Sequence, residues 1–313
     1  MDLQKKVVIS GVSSFVGMHL AQKFAKTGWH VTALTSRDVG TYEGIRKNRL
    51  NVITNDVHFR TCDLTDASTV QALVRDVKPI LWVQHGGYAE NYTSPDYDLE
   101  KSLQVNVLAL KPLYKALAEV DAGIILTGSS AEYSASGAAN SEEDACWPET
   151  AYGVSKLAET IEAKRLSMAY QVPTRIARLY IPVGLYDAPG KLMDHVISQF
   201  KNDQVVDLSP CLQKRDFLCV DDISNAYLKL ADDLARTEFD IFNICSGEAI
   251  ELKELLLDLC KAMDRKPELL NFNAFPMREG EAIISYGDNE KAKRLLDWAP
   301  IDLTETLKTL ISR

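Results

Sequence analysis

Tyr152 and Lys156 stand four residues apart in Tyr152-Gly-Val-Ser-Lys156, where a helical pattern begins, so both side chains fall on one helix face. An ammonium at that spacing stabilises a tyrosinate and lowers the phenol's pKa, which would make Tyr152 a usable general acid or base near neutrality. Upstream, the β-branched run Ile124–Thr127 ends in Gly128-Ser129-Ser130. A hydroxyl there can hydrogen-bond the same carbonyl or alcohol oxygen that the tyrosine protonates. Ser129, Tyr152 and Lys156 are therefore the candidate catalytic set.

The amino-terminal run Val7–Ile9 leads through Ser10-Gly11-Val12-Ser13-Ser14-Phe15-Val16-Gly17 into a helical pattern, placing a glycine-bearing turn where a strand meets a helix N-terminus. A pyrophosphate binds at such a place. Gly11 suits the tight turn and Gly17 a close helix–strand approach, but Ser14 holds the middle glycine position. The second strand ends in Thr35-Ser36-Arg37. A carboxylate there would repel a 2′-phosphate, whereas Arg37 can hold one by charge-assisted hydrogen bonds. The cofactor expected is NADP, with NAD the other possibility.

The elements that must position these groups follow from periodicity. Strands are expected at Val7–Ile9, Val31–Leu34, His58–Thr61, Ile80–Val83, Ile124–Thr127 and Thr174–Leu179, with amphipathic helices at Gly17–Thr27, Ser68–Val77 and Leu99–Val120. This alternation predicts an α/β fold, a doubly wound parallel (Rossmann) sheet, over residues 1–180. From 181 to 313 the texture shifts to helices at Leu192–Phe200, Ile223–Leu234, Leu252–Met263 and Asn289–Leu296 and one from Thr304, with a strand at Phe239–Ile244. That predicts a smaller, mostly helical substrate lobe over the carboxyl edge of the sheet, the chain crossing back near 210–245.

The 313 residues are 46% hydrophobic and 25% charged, the mix of a globular protein. A net charge of −9 with no basic block argues against a nucleic-acid partner. No apolar run could span a bilayer and no signal segment opens the chain, so a cytoplasmic protein is expected. Six scattered cysteines read as buried small hydrophobes, and five histidines lack metal-ligand spacing, so no metal is expected.

Taken in order, these motifs resemble the extended short-chain dehydrogenase/reductase family, the nucleotide-sugar epimerases, dehydratases and reductases, over nearly the whole chain. Beyond the turn and the Tyr–Lys pair, the resemblance includes Cys62-Asp63-Leu64-Thr65-Asp66 after the third strand, His85-Gly86-Gly87, Asn106-Val107 and Ser129-Ser130-Ala131-Glu132-Tyr133. Later come Arg215-Asp216-Phe217 through Asp222, Phe242-Asn243 through Gly247, Arg278-Glu279-Gly280-Glu281, and the closing run through Pro300. The resemblance implies a dinucleotide held by Gly11, Ser13, Ser14, Phe15, Val16, Gly17, Arg37, Asp63, Leu64, Gly86, Tyr152 and Lys156. It implies substrate contacts at Ser130, Glu132, Arg215 and Arg278, the two arginines on a diphosphate, and a homodimer seam along Leu103, Val107, Leu110 and Tyr114 with the Tyr152 helix.

The family's 4,6-dehydratases use an adjacent Asp-Glu pair where this chain has Ser130 and Ala131, and alanine transfers no proton. The resemblance therefore implies an NADPH-dependent reductase of a 4-keto deoxysugar nucleotide. The alternatives are an NAD-dependent 4-epimerase and a non-catalytic dinucleotide sensor. Ile181 stands where the family commonly has an asparagine on the substrate's phosphates.

Overall fold

The computed structural model describes residues 5–278 and 280–301, together with 303, 307, 308 and 311. Its centre is a seven-stranded sheet that begins with β1 (Lys6–Ile9), β2 (His30–Thr35), β3 (His58–Thr61), β4 (Leu81–Gln84) and β5 (Gly123–Ser129). The strands Thr174–Leu179 and Phe239–Ile244 complete it. Across the sheet the order is 239–244, 174–179, β5, β4, β1, β2, β3, and every neighbouring pair is parallel. Val7, Val8, Ile9, Trp82 and Val83 are all buried, the near-continuous apolar run that a parallel sheet covered on both faces requires. The order reverses between β1 and β4, which opens a crevice beyond their carboxyl ends.

On one face lie α1 (Phe15–Lys26), α2 (Gly44–Ile53), α8 (Val220–Asp233) and α10 (Glu290–Leu296), whose apolar sides share one core. The other face carries α3 (Ala67–Val77), α5 (Leu110–Ala118) and α6 (Ala151–Tyr170). The helix expected at Leu99–Val120 is a helical path in three pieces: α4 (Leu99–Ser102), a π-helical stretch (Leu103–Leu108) and α5. In the π stretch Asn106 turns inward, donating to Ser102 Oγ and the Tyr88 carbonyl and accepting from the Tyr88 N–H. Helix α2 was not expected, because only Arg49, Leu50 and Ile53 of its ten residues are buried and its pattern is correspondingly sparse. The helix expected from Thr304 lies outside the described residues.

Beyond residue 180, α7 (Leu192–Lys201) and α9 (Leu252–Ala262) enclose a third core around Val196, Phe200, Leu256 and Leu259. Short strands accompany them: 181–183 with 217–219, 206–207 with 270–271, and a four-stranded sheet of 250–251, 214–215, 284–287 and 139–140. Ala139–Asn140 is thus lent to this sheet by the first half of the chain. Asn243, on the outer strand of the large sheet, joins the two: its amide donates to the Asn140 carbonyl (2.8 Å) and the Asp288 carbonyl (3.3 Å) and accepts from the Tyr133 hydroxyl (2.8 Å).

Candidate active site

The turn after β1 and the segment after β4 meet at the crevice. Gly11 takes φ +73°, and a Cβ on it would lie 2.7 Å from the Gly86 Cα. A Cβ on Gly17 would lie 2.2 Å from the Gly11 carbonyl oxygen. Backbone therefore packs on backbone here, where a strand meets the N-terminus of α1. The side chains of Phe15 and Val16 are buried in the core beneath, while the Ser13 carbonyl accepts from Arg49 Nη1 at 3.2 Å.

Ser14, in the glycine position, caps α1: its Oγ accepts from the Gly17 N–H at 3.0 Å. His85 Nε2 lies 3.0 Å from the same oxygen, and its Nδ1 lies 2.9 Å from Thr127 Oγ1, which is 2.6 Å from the Tyr227 hydroxyl. This hydrogen-bonded row locks the turn to β5 and α8. Burial, assisted by the Lys156 charge, pushes the His85 pKa down to about 4, so the imidazole is neutral at pH 7.

At the end of β2 the buried Thr35 Oγ1 has no hydrogen-bond partner. Beside it Ser36 Oγ lies 3.2 Å from the Tyr42 hydroxyl, and the exposed Arg37 guanidinium rests 4.5 Å from the Tyr42 ring centre. At the end of β3, Asp63 is exposed and accepts from the Thr65 N–H and hydroxyl, with Leu64 half-buried next to it. The glycine cradle, the orphaned Thr35 hydroxyl and the presented Arg37 fit a nicotinamide dinucleotide.

Thr150 caps α6 through the Gly153 N–H (3.0 Å). A Cβ on Gly153 would fall 2.1 Å from the Ala131 carbonyl oxygen, so only glycine lets the start of α6 cross the serine segment. That crossing sets Tyr152 beside Ser129. The Tyr152 ring also meets Tyr92 (5.3 Å between centres) and Tyr97 (5.9 Å, edge on), both from the segment after β4.

The expected lowering of the Tyr152 pKa is reversed. Burial pushes it up from its ordinary value, and the opposing Lys156 charge and Ser129 hydrogen bond do not cancel that. The phenol is protonated at pH 7. Lys156 does not act on it alone, because its ammonium is hydrogen-bonded to the buried carboxylate of Glu159, one turn on. Burial pulls the Lys156 pKa down, but Glu159, Tyr152 and Glu132 more than restore it, so the amine is charged. Burial also raises the Glu159 carboxyl, with Lys156 opposing the rise.

Glu132 does not face the crevice as a substrate ligand would. It is fully buried, accepts from the Ser129 N–H, the Thr160 hydroxyl and Arg178 Nε at 2.9 Å each, and completes a capping box with Ser129. The buried Arg178 also donates to the Tyr133 hydroxyl. Ser130 is half-buried beside Ser129. Arg215 is half-buried and paired with Glu281 (3.0 Å), and Arg278 is exposed. The expected seam also divides: Leu110 and Tyr114 are core residues of the chain's own second helical layer. Among the described residues, the exposed apolar groups there are Leu108, Val154, Ile161 and Met168.

Glu159, the Tyr92–Tyr97 wall and the Thr127–Tyr227 pair were not anticipated. For Glu159 the available signal was a carboxylate one turn beyond a candidate active-site lysine, a spacing that pairs on any helix.

The model of the NAD dependent epimerase/dehydratase family matches residues 7–245. CDP-abequose synthase of Salmonella muenchen is 24% identical, covering 100% of this chain and 99% of that protein. The dTDP-4-dehydro-6-deoxyglucose reductase of Escherichia coli is 28% identical, covering 67% of this chain and 66% of its own. Among solved structures, a UDP-glucuronic acid 4-epimerase from Bacillus cereus, in complex with UDP-glucuronic acid and NAD, superposes with a TM-score of 0.83. It is 20% identical, and 98% of each chain is covered.

Proposed function

The chain belongs to the NAD dependent epimerase/dehydratase family and is an oxidoreductase-type enzyme; on that premise we propose that it is an NADPH-dependent reductase of the 4-keto group of a nucleotide-linked deoxysugar. The observation that carries this reading is the pairing of Ser129 with Tyr152 in a segment that offers no carboxylate to a substrate. Glu132 is enclosed with Arg178 and Thr160, and Ala131 has no proton to give. The segment provides for one proton at one oxygen, which a ketone reduction needs and a dehydration exceeds.

In this reading the Gly11–Gly17 turn and the N-terminus of α1 hold the pyrophosphate, Thr35 and Arg37 the adenosine ribose and its 2′-phosphate, and Lys156 the other ribose. A bound nicotinamide supplies hydride. Ser129 donates a hydrogen bond to the substrate carbonyl oxygen, and Tyr152 gives that oxygen its proton. Names among the relatives, a CDP-abequose synthase and a dTDP-sugar reductase, support a nucleotide-sugar ketone as substrate. The exposed Arg37 supports NADPH. The epimerase reading rests on the same residues and on the NAD named in the Bacillus cereus structure. Exposed Val154, Ile161 and Met168, at seven-residue spacing on α6, support a homodimer seam.

The test is to identify any dinucleotide that co-purifies, then to follow NADPH oxidation against 4-keto-6-deoxysugar nucleotides with the parent and Tyr152→Phe. Turnover by the parent, its loss by at least about 100-fold in Tyr152→Phe, and unchanged NADPH binding are expected. Tightly retained NAD, or a variant within about tenfold of the parent, overturns the reading.

A further inference from the structure

We propose that Arg49 is a positioning residue for the dinucleotide: its buried guanidinium, which has no carboxylate partner, braces the Gly11–Gly17 turn and supplies the positive charge that the diphosphate meets there. The inference rests on the part of the reading that puts a diphosphate at this turn, and on neither choice of reaction.

The turn has no cation of its own. Residues Ser10 to Gly17 include no charged side chain, and the lysines of α1, Lys23 and Lys26, stand in its last turn. A diphosphate here would otherwise meet backbone dipoles alone, the helix N-terminus counting for about half an elementary charge. Arg49 comes from α2 and is only 5% exposed. Its Nη1 donates to the Ser13 carbonyl at 3.2 Å and its Nε to the Tyr186 carbonyl at 2.8 Å. Both partners are neutral. Asp187, the carboxylate whose charge it feels, is paired with Lys191 at 2.9 Å, and among the described residues Arg49 forms no ion pair. Arg46, on the same helix, adds charge of the same sign.

Two carbonyls could be bridged by neutral donors, whereas burying a cation without a counter-ion is costly. The charge is the part that calls for an anion. The loop that covers it is held in place: His19 Nε2 lies 2.9 Å from the Leu185 carbonyl oxygen, and a Cβ on Gly184 would lie 2.4 Å from Val220 Cγ1. Shielded from water, the guanidinium acts across the Ser13 peptide with little screening. The other cations near the crevice have different duties. Arg37 is exposed at the end of β2, and Lys156 is paired with Glu159.

The test compares Arg49→Gln, which keeps an amide donor and loses the charge, with Arg49→Lys, which keeps the charge. Fluorescence titration reads NADH and NADPH affinity, and calorimetry the Tm of the unliganded proteins. Arg49→Gln is expected to bind both dinucleotides at least about tenfold more weakly and by the same factor, because the diphosphate is common to both; Arg49→Lys should stay within about threefold of the parent. Unchanged affinities in an Arg49→Gln protein of lower Tm, the signature of a merely structural clamp, overturn the proposal. So does a loss confined to NADPH, which would put Arg49 on the 2′-phosphate instead. Where Arg49→Gln does not fold, Arg49→Lys decides: affinities within about threefold uphold the charge, and losses of about tenfold or more overturn it. The expected shifts in a protein that reduces no ketosugar leave Arg49 in place and remove the reductase reading, whereas a parent that binds neither dinucleotide removes both.

Discussion

Replacing Glu132 with alanine separates a buried structural carboxylate from a substrate ligand. Its two oxygens accept from the Ser129 N–H, the Thr160 hydroxyl and the Arg178 guanidinium, and neither Glu132 nor Arg178 has more than 2% of its side chain exposed. The alanine variant strands the guanidinium without a counter-charge, which costs about 3–5 kcal/mol when one partner of a buried pair is removed. Unfolding entropy of about 2.1 cal/mol/K per residue gives roughly 0.66 kcal/mol/K for the 313 residues, so Tm should fall by about 5–8 °C. Scanning calorimetry at pH 7 measures this directly. Because Ser129 shares the capping box, kcat should fall while substrate KM moves little. The double variant Glu132→Leu/Arg178→Met removes both charges and should recover part of the loss. A Tm within about 2 °C of the parent together with a raised KM would refute the reasoning and return Glu132 to the substrate.

Arg37→Ala should weaken NADPH binding by about 10–100-fold, the worth of a charge-assisted contact, and leave NADH nearly unchanged; equal losses for both dinucleotides, read by fluorescence titration, would remove the 2′-phosphate role. Gly86→Ala places a methyl 2.9 Å from the Gly11 backbone nitrogen, so dinucleotide affinity should drop by tenfold or more with the melting temperature less affected. His85 is neutral when folded, its pKa pushed down to about 4 against 6.5 unfolded. Its contribution to stability is therefore complete above pH 6.5 and is lost as pH falls toward 4, at up to about 1.4 kcal/mol per pH unit. Urea titrations between pH 7 and 4.5 should show His85→Gln to be less acid-sensitive than the parent; parallel curves would contradict that.

How much was legible in the chain depended on whether a pattern or a meeting had to be read. Val7–Ile9 and Ile124–Thr127 declared themselves because parallel strands covered on both faces are runs of apolar and β-branched residues. The two-residue strands beyond 180 carry no period at all, and α2 buries too few residues to show one. Ser129, Tyr152 and Lys156 were visible as spacing, yet the direction of the Tyr152 pKa was not, because it follows from burial among Tyr92, Tyr97 and Glu159, which only the fold assembles. Glu132 reads as a polar loop residue until Arg178, forty-six positions later, arrives beside it. Ser14 looked like a defect in a glycine pattern and is a helix cap supported by His85.

The strand Ala139–Asn140, lent to the smaller sheet and tied to Asn243, bears on how such a chain can be rearranged. A cut near residue 180 would not release two self-sufficient pieces. The first would lose Phe239–Ile244 from the edge of its sheet and α8 from beside α1, opening the core they share; the second would lose one of its four strands. Recombination that trades substrate lobes between relatives would therefore have to carry 139–140 with the later segments, and grafts that respect only the linear boundary should aggregate rather than exchange specificity.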